Sequence, residues 1–350
     1  MDKINYIDIQ DLNYLNHDSI IDVRSPKEFD DDHIPGAVNL PALSDLQRGE
    51  VGSIYKNTSP FEARKLGGAL ISENVAKHLK KVLSRNTENW KPLIYCWRGG
   101  QRSKAFATIL SEVGWNVSVV TGGYKAYRKK VYWSLYKEIF QQKVYLLAGN
   151  TGTGKTQILK LLSDKGANIL DLEGLANHRG SVFGSLDDLQ PSQKFFESKL
   201  FKIIQNFDWT KPIILESESN KIGKISLPSA LWKKMKTADR IVLSGPIKER
   251  SKYLVKEYLL LIKDQKRFLN KLASLKQIQG QEKIIYWSNL FKEKNYTKLA
   301  EELITHHYDP RYNVSSDKNG YQTIKRIELD KFEPSDLNAA VGKIKSFLKF

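Results

Sequence analysis

Residues 143–163, KVYLLAGNTGTGKTQILKLLS, decide how the second half of this chain folds. An apolar strand, Lys143 to Ala148, runs into Gly149-Asn150-Thr151-Gly152-Thr153-Gly154-Lys155-Thr156, which fits GxxxxGK[ST] without a gap, and helical spacing follows from Gln157 to Ser163. Strand before and helix after is the context that gives this motif its meaning. Glycines let the loop curl until successive N–H groups face inward toward an anion, and the helix adds the positive end of its dipole. Lys155 brings a full charge to phosphate oxygens, and the Thr156 hydroxyl is a ligand for Mg²⁺. The loop specifies a diphosphate-bearing ligand without specifying ATP.

Working outward, further apolar strands are expected at Asn168 to Leu172, Pro212 to Glu216 and Arg240 to Ser244. The third of these four strands ends in acidic residues. Glu216 and Glu218 lie two apart, so alternation points them to one face, where a second magnesium or substrate partner is expected; capping a helix or pairing with a lysine is the alternative. His178-Arg179 follows another strand end and is a candidate substrate contact. Residues 247–303 read as wholly helical and strongly basic, and Lys252, Lys256, Lys263, Lys266, Arg267, Lys271 and Lys276 form either a polyanion surface or a solvated face.

Upstream, Ser19 to Val23, Leu93 to Cys96 and Val117 to Val120 read as strands, with helices around Ser72 to Leu83 and from Arg102 to Val113, the latter closed by Gly114. Strands alternating with helices indicate a second parallel α/β sheet. A basic, aromatic helix from Lys125 to Gln142 reads as the connection between the halves. The single cysteine of the chain, Cys96, sits where a strand meets the turn Trp97-Arg98-Gly99-Gly100-Gln101-Arg102-Ser103. Free cysteine is commonly just a small buried hydrophobe. Here, Arg98, Arg102 and the amides of the turn, including those of Gly99 and Gly100, surround it with the positive groups that favour a reactive thiolate. A turn of this length can ring an oxyanion bonded to sulfur, with Arg102 binding it bidentately. Persulfide carriers and cysteine phosphatases both use such a cradle.

Composition bounds the rest. With 350 residues, 41% apolar and 27% charged, the chain is long enough for two cores. No apolar run reaches the roughly 18 residues of a membrane span, and MDKINYIDIQDL lacks a signal-peptide pattern, so a cytoplasmic protein without a membrane partner is expected. One cysteine excludes an intramolecular disulfide and a multi-thiolate zinc site. Net charge is +17, unevenly spread. Residues 1–142 carry 20 Lys/Arg against 16 Asp/Glu, and residues 143–350 carry 36 against 23. The excess in the second half favours a polyanionic partner.

Asp22-Val23-Arg24-Ser25-Pro26-Lys27-Glu28-Phe29, then His33-Ile34-Pro35-Gly36-Ala37 and Gly122-Gly123-Tyr124, resemble the opening and closing signatures of rhodanese domains over residues 4–130. The loop from Cys96 to Arg102 is one residue longer than the common rhodanese form, which argues against ordinary thiosulfate transfer. Adding Asp171-Leu172-Glu173-Gly174-Leu175-Ala176, His178-Arg179-Gly180-Ser181, Glu216-Ser217-Glu218-Ser219 and Tyr308-Asp309-Pro310-Arg311-Tyr312, the chain resembles bacterial tRNA 2-selenouridine synthases through nearly its whole length. The resemblance implies an α/β protein with a rhodanese-like parallel-sheet domain (1–130), a linker helix (131–142) and a P-loop NTPase-like domain with a basic helical extension (143–350).

It also implies chemistry. The substrate would be tRNA carrying 2-thiouridine at the wobble position, first S-alkylated by geranyl diphosphate and then exchanged for selenium from selenophosphate, with a selenophosphate supplier as a candidate partner. The P-loop would hold the diphosphate with Mg²⁺, Cys96 would serve the selenium step, and Lys252, Lys256, Lys263, Arg267 and Lys271 would face tRNA. No organic redox cofactor is implied. Asp22 and Arg24 would brace the sulfur loop as an ion pair. The alternatives are a cysteine phosphatase fused to a P-loop kinase, disfavoured because no Asp or Glu lies inside the loop to act as general acid, and a nucleotide-gated RNA-binding module.

Overall fold

The computed structural model describes residues 4–11, 16–138, 141–178, 189–217, 219–312 and 322–349. It divides into two compact units, residues 1–138 with 191–202, and residues 139–190 with 203–350.

Unit 1 contains β1 (Ile4–Ile7), β2 (Ser19–Asp22), α1 (Pro26–Asp31), β3 (Ala37–Asn39), α2 (Asp45–Asn57), α3 (Pro60–Lys81), β4 (Pro92–Tyr95), α4 (Gln101–Val113), β5 (Val117–Val120) and α5 (Gly123–Tyr136). Its sheet runs β1-β5-β4-β2-β3 with every pairing parallel. The central strands β4 and β5 are buried at all four positions, as strands covered on both faces must be. Helix α3 starts a full three turns before the expected Ser72, because Ser59 caps the N–H groups of Phe61 and Glu62 and Pro60 takes the first helical position. Helix α4 ends where Gly114 adopts a left-handed conformation, φ 114°.

Unit 2 continues with β6 (Val144–Gly149), α6 (Lys155–Asp164), β7 (Asn168–Leu170), α7 (Leu172–Leu175), α8 (Gln193–Gln205, whose first ten residues belong to unit 1), β8 (Ile213–Glu216), β9 (Lys221–Ile222), β10 (Ile225–Ser226), α9 (Ser229–Lys236) and β11 (Asp239–Ser244). The helices α10 (Ile247–Glu257), α11 (Leu259–Lys263), α12 (Gln265–Ala273), α13 (Lys276–Gln279), α14 (Gln281–Lys292) and α15 (Tyr296–Leu303) follow, then a π-helical turn (Ile304–Tyr308), β12 (Thr323–Glu328) and α16 (Pro334–Leu348). The sheet order is β12-β11-β6-β8-β7, again all parallel. Helices α6 and α16 bury Ile158, Leu162, Val341 and Ile344 with Leu147 and Ile241 of the sheet. A separate core forms among the basic helices around Phe268, Leu272, Trp287, Phe291 and Leu299.

Two boundaries differ from the sequence expectation. The segment 131–136 is no linker: it is the second half of α5, and it buries Val131 and Leu135 within unit 1. Residues 191–202 also leave the second half of the chain for the first unit. Their role there is polar as much as apolar. Buried Glu197 receives Arg128 and the Tyr136 hydroxyl (2.7 Å), while Ser198 donates to buried Asp32 (3.1 Å). Charged groups this deep are retained only when partnered, so α5 and α8 are bound to one unit by each other's side chains. Among the described residues, no helix is long and apolar enough to cross a membrane.

Candidate active sites: a sulfur loop and a phosphate loop

In unit 1, Cys96 follows the buried end of β4 and is itself buried, at 3% exposure. Its Sγ lies 3.2 Å from Ser103 Oγ, and that hydroxyl sits 3.1 Å from the carbonyl of Gly100, at the opening of α4. The sulfur therefore faces the first turn of a thirteen-residue helix, whose N–H groups are oriented toward negative charge. Glycines shape the loop. Gly99 has φ 66° and Gly123 φ 55°, and a Cβ on Gly123 would stand 2.2 Å from the Cys96 carbonyl and 2.6 Å from Gly99 N. The turn Gly122-Gly123-Tyr124 thus closes onto the loop backbone to backbone, with Tyr124 N–H donating to Cys96 O (2.8 Å) and Lys125 N–H to Trp97 O (2.9 Å).

The two arginines of the loop part company. Arg98 is exposed. Arg102 turns away to Glu28, with Nη1 2.7 Å from Oε2 and Nη2 3.4 Å from Oε1. Burial alone would raise the Glu28 pKa, but Arg102, the Ser25 N–H and Arg48 together hold it below the usual carboxylate range. The Arg102–Glu28 ion pair ties α1 to the start of α4. Asp22 and Arg24 form the expected buried ion pair, 2.6 Å long, and Arg24 also donates to Asp32 O (2.6 Å) and stacks over Tyr124 at 3.9 Å. Tyr124 hydrogen-bonds Asp32 (2.7 Å), and burial followed by that carboxylate raises its pKa. A continuous buried polar lattice therefore lies behind the sulfur loop.

In unit 2, Gly149, Asn150, Thr151, Gly152, Thr153, Gly154, Lys155 and Thr156 join β6 to α6. Positive φ values at Gly149 (150°), Gly152 (84°) and Gly154 (72°) curl the loop. Lys155 Nζ bridges back to Gly149 O (2.7 Å), and Thr153 Oγ1 donates to Asn150 O (2.8 Å). Glu216 ends β8, in register with Leu147 of β6, and is 3% exposed; its carboxylate accepts the Glu173 N–H at 2.6 Å. Among the described residues, no group of three or more His, Cys, Asp or Glu is arranged to hold a metal ion. Mg²⁺ at phosphate sites takes one or two protein oxygens and completes its shell with phosphate and water. The Thr156 hydroxyl and the Glu216 carboxylate are a donor set of that kind. Glu218 and Arg179 lie outside the described residues.

Sequence reasoning missed the brace of this loop. Arg250 of α10, 3% exposed, makes a bidentate pair with Asp309 (2.9 and 3.0 Å), and Asp309 also hydrogen-bonds the Asn150 side chain. Tyr312 accepts the Gly149 N–H at 2.8 Å. A charged residue at core-facing spacing, with Arg250 one turn before Leu254, is the signal that could have found it.

The basic residues do not form one stripe. Lys252 pairs with Glu249 (2.6 Å) and Lys256 with Glu333 (3.4 Å), while Lys263 is exposed. Lys266, Arg267, Asn270 and Lys271 line an open depression along α12. Burial first, and then the Lys271 charge, lower the His178 pKa.

A glycine-closed cysteine loop of rhodanese type and a phosphate loop on a parallel sheet, in a single chain, define a rhodanese and P-loop fusion. Residues 8–130 match the rhodanese-like domain model and residues 142–285 the model described as the tRNA 2-selenouridine synthase AAA domain. The chain is 33% identical over 347 residues to the tRNA 2-selenouridine synthase of Sulfurovum sp. (strain NBC37-1), covering 91% of this chain and 94% of that one. It is 30% identical to that of Psychromonas ingrahamii, covering 87% and 90%, and 35% identical to that of Nitrosomonas europaea, covering 73% and 67%. The chain belongs to the tRNA 2-selenouridine synthase family.

Proposed function

We propose that this enzyme replaces sulfur by selenium in wobble 2-thiouridine of tRNA, in two steps: S-geranylation with geranyl diphosphate, then exchange with selenophosphate. The observation that carries the reading is the pairing, in one chain, of a sulfur loop with a diphosphate cradle. In the first step the C1–O bond of geranyl diphosphate breaks as the thiouridine sulfur forms a bond to C1. Diphosphate departs, and the nucleobase loses its N3 proton to solvent. The amides of residues 149–156 and Lys155 neutralise the charge that develops on the leaving group. Mg²⁺, held by Thr156 and Glu216, would add Lewis-acid stabilisation of that charge.

In the second step selenium adds to C2 and geranylthiol leaves, taking a proton, while water accepts the phosphoryl group of selenophosphate. Alkylation is what makes exchange feasible, because an alkylthiol departs from C2 far more readily than a thiocarbonyl sulfur. Cys96 serves this step from a loop whose amides and exposed Arg98 suit an oxyanion. The surface that meets the tRNA backbone is assigned to α12 and its neighbours through Lys263, Arg267 and Lys271, where phosphate contacts supply affinity without reading sequence.

The test incubates full-length protein with 2-thiouridine tRNA, geranyl diphosphate, selenophosphate and Mg²⁺, and reads the nucleosides by mass. Conversion through S-geranyl-2-thiouridine to 2-selenouridine is expected. Unchanged 2-thiouridine under these conditions overturns the proposal.

A further inference from the structure

Cys96 is buried, yet the residue that follows it is not. Trp97 is 40% exposed, and Gly100 of the same loop, where an added Cβ would meet nothing within 4 Å, leaves the loop open on that side. Exposure alone does not single out Trp97, since Trp133 and Trp209 are 55% and 46% exposed. Its mounting does. The Trp97 ring centroid lies 5.3 Å from that of Tyr124, with the planes tilted by 34°. Tyr124 is itself fixed, by the Arg24 guanidinium 3.9 Å from its ring centroid and by its hydroxyl on Asp32. The Trp97 carbonyl accepts the Lys125 N–H at 2.9 Å. An exposed indole is thus held on a rigid aromatic support next to the sulfur, so little ordering is left to oppose binding.

Cations flank the indole. Lys125 lies in the first turn of α5, next to Tyr124, and Lys104 in the first turn of α4, with its N–H on the Gly100 carbonyl at 3.1 Å. Both are exposed, and neither has an ion-pair partner among the described residues, unlike Lys252 and Lys256 of unit 2. A flat π-face with lysines on adjoining turns suits single-stranded RNA, whose unstacked base takes the ring while the flanking phosphates take the cations. We propose that Trp97 is the platform on which the target nucleobase stacks during the selenium step, with Lys104 and Lys125 on the phosphates beside it. Consecutive Cα atoms stand only about 3.8 Å apart, so a base stacked on Trp97 is presented at the sulfur loop, where Arg98 is left for the oxyanion. The inference rests on the selenium-transfer reading and adds to it the residue that presents the base. It also gives unit 1 an RNA contact of its own.

The experiment measures binding of the full-length protein to anticodon stem-loop RNAs carrying S-geranyl-2-thiouridine, 2-selenouridine or an abasic site at the wobble position, together with conversion of the first by selenophosphate. The variants are Trp97→Ala, Trp97→Phe, Lys104→Ala and Lys125→Ala, each checked for folding by circular dichroism. Trp97→Ala should weaken binding of both base-bearing RNAs by about 5- to 100-fold, and of the abasic RNA by less than about twofold. Trp97→Phe should stay within about fivefold of wild type, because it keeps a ring, and should lose the fluorescence quenching that the stacked base causes in wild type. Each lysine variant should lower the slope of log K against log salt by about 0.7. Equal losses on base-bearing and abasic RNA, or quenching undiminished in Trp97→Phe, overturn the platform. A loss confined to the geranylated RNA overturns base stacking in favour of contact with the alkyl group, and unchanged salt slopes in both lysine variants overturn their assignment to phosphates. Conversion with wild-type affinity in Trp97→Ala overturns the platform alone. Base-dependent binding through Trp97, without any conversion by wild type, supports the platform and overturns the selenium-transfer reading.

Discussion

The loop around Cys96 and the loop around Lys155 are both curled by glycines, but they are fastened differently. The sulfur loop is closed backbone to backbone by Gly122-Gly123-Tyr124 and backed by Asp22, Arg24 and Glu28, all residues of recognisable local signatures. The phosphate loop is fastened by side chains far downstream, Arg250, Asp309 and Tyr312, the last 163 residues from its partner Gly149. Backbone contact leaves almost no give, so the first loop should fail all at once. A side-chain network can be weakened stepwise, and the second should lose affinity by degrees.

The largest effects should come from the reacting groups. Cys96→Ala should reduce selenium incorporation by at least about 10³-fold while S-geranyl-2-thiouridine accumulates; Lys155→Ala should slow geranylation itself by about 10²–10³-fold. Nucleoside mass analysis reads both, and equal loss of both steps in both variants would break the division of labour between the loops.

Next comes the brace of the phosphate loop. Arg250→Leu strands the half-buried Asp309 carboxylate, 19% exposed, and should cost about 1–3 kcal/mol of unit 2 stability, with weakened pyrophosphate binding in calorimetry. The double variant Arg250→Leu with Asp309→Leu should recover part of that stability without recovering the binding. The sulfur loop supplies the contrast. Gly123→Ala forces a Cβ against Cys96 O at positive φ and should destabilise unit 1 by about 2–3 kcal/mol. Gly100→Ala, which meets nothing within 4 Å, should shift thermal unfolding by under about 1 kcal/mol.

A pH series sharpens the comparison further. Burial, with Arg311 nearby, lowers the pKa of His307 to about 4, against about 6.5 unfolded. The folded ring stays neutral where the unfolded one takes up a proton, so its contribution is complete above pH 6.5 and is lost as pH falls through 4. Unit 2 should lose roughly 2–3 kcal/mol over that interval, and His307→Gln should flatten the loss in urea titrations. Smallest of all, Lys263→Ala should weaken tRNA binding a few-fold and reduce its salt slope by about one.

Both phosphate and sulfur loops were legible because each depends on residue types at fixed short spacing beside a strand. The Asp22–Arg24 pair was legible for the same reason. Residues 125–142 read as a connector because basic and aromatic residues alternate along them, yet in the helix Gly123–Tyr136 Tyr124, Tyr127, Val131 and Leu135 form one buried face. Strand β12 escaped notice as an edge strand with a single buried position, Ile327. The Arg102–Glu28 contact was not legible, since only folding brings Glu28 within 2.7 Å of it.

What the sequence determined by itself was local: the strand–loop–helix units, the placement of Cys96 and Lys155 in glycine-rich loops, and the positive excess of the second half. These follow from backbone freedom and side-chain type over ten residues or so. Tertiary structure alone decided that residues 191–202 serve the first unit and that Arg250 and Asp309 meet across 59 residues of chain. The physical reason is burial. A charge or an apolar wall gains its meaning from the groups that exclude water around it, and those groups come from elsewhere in the chain.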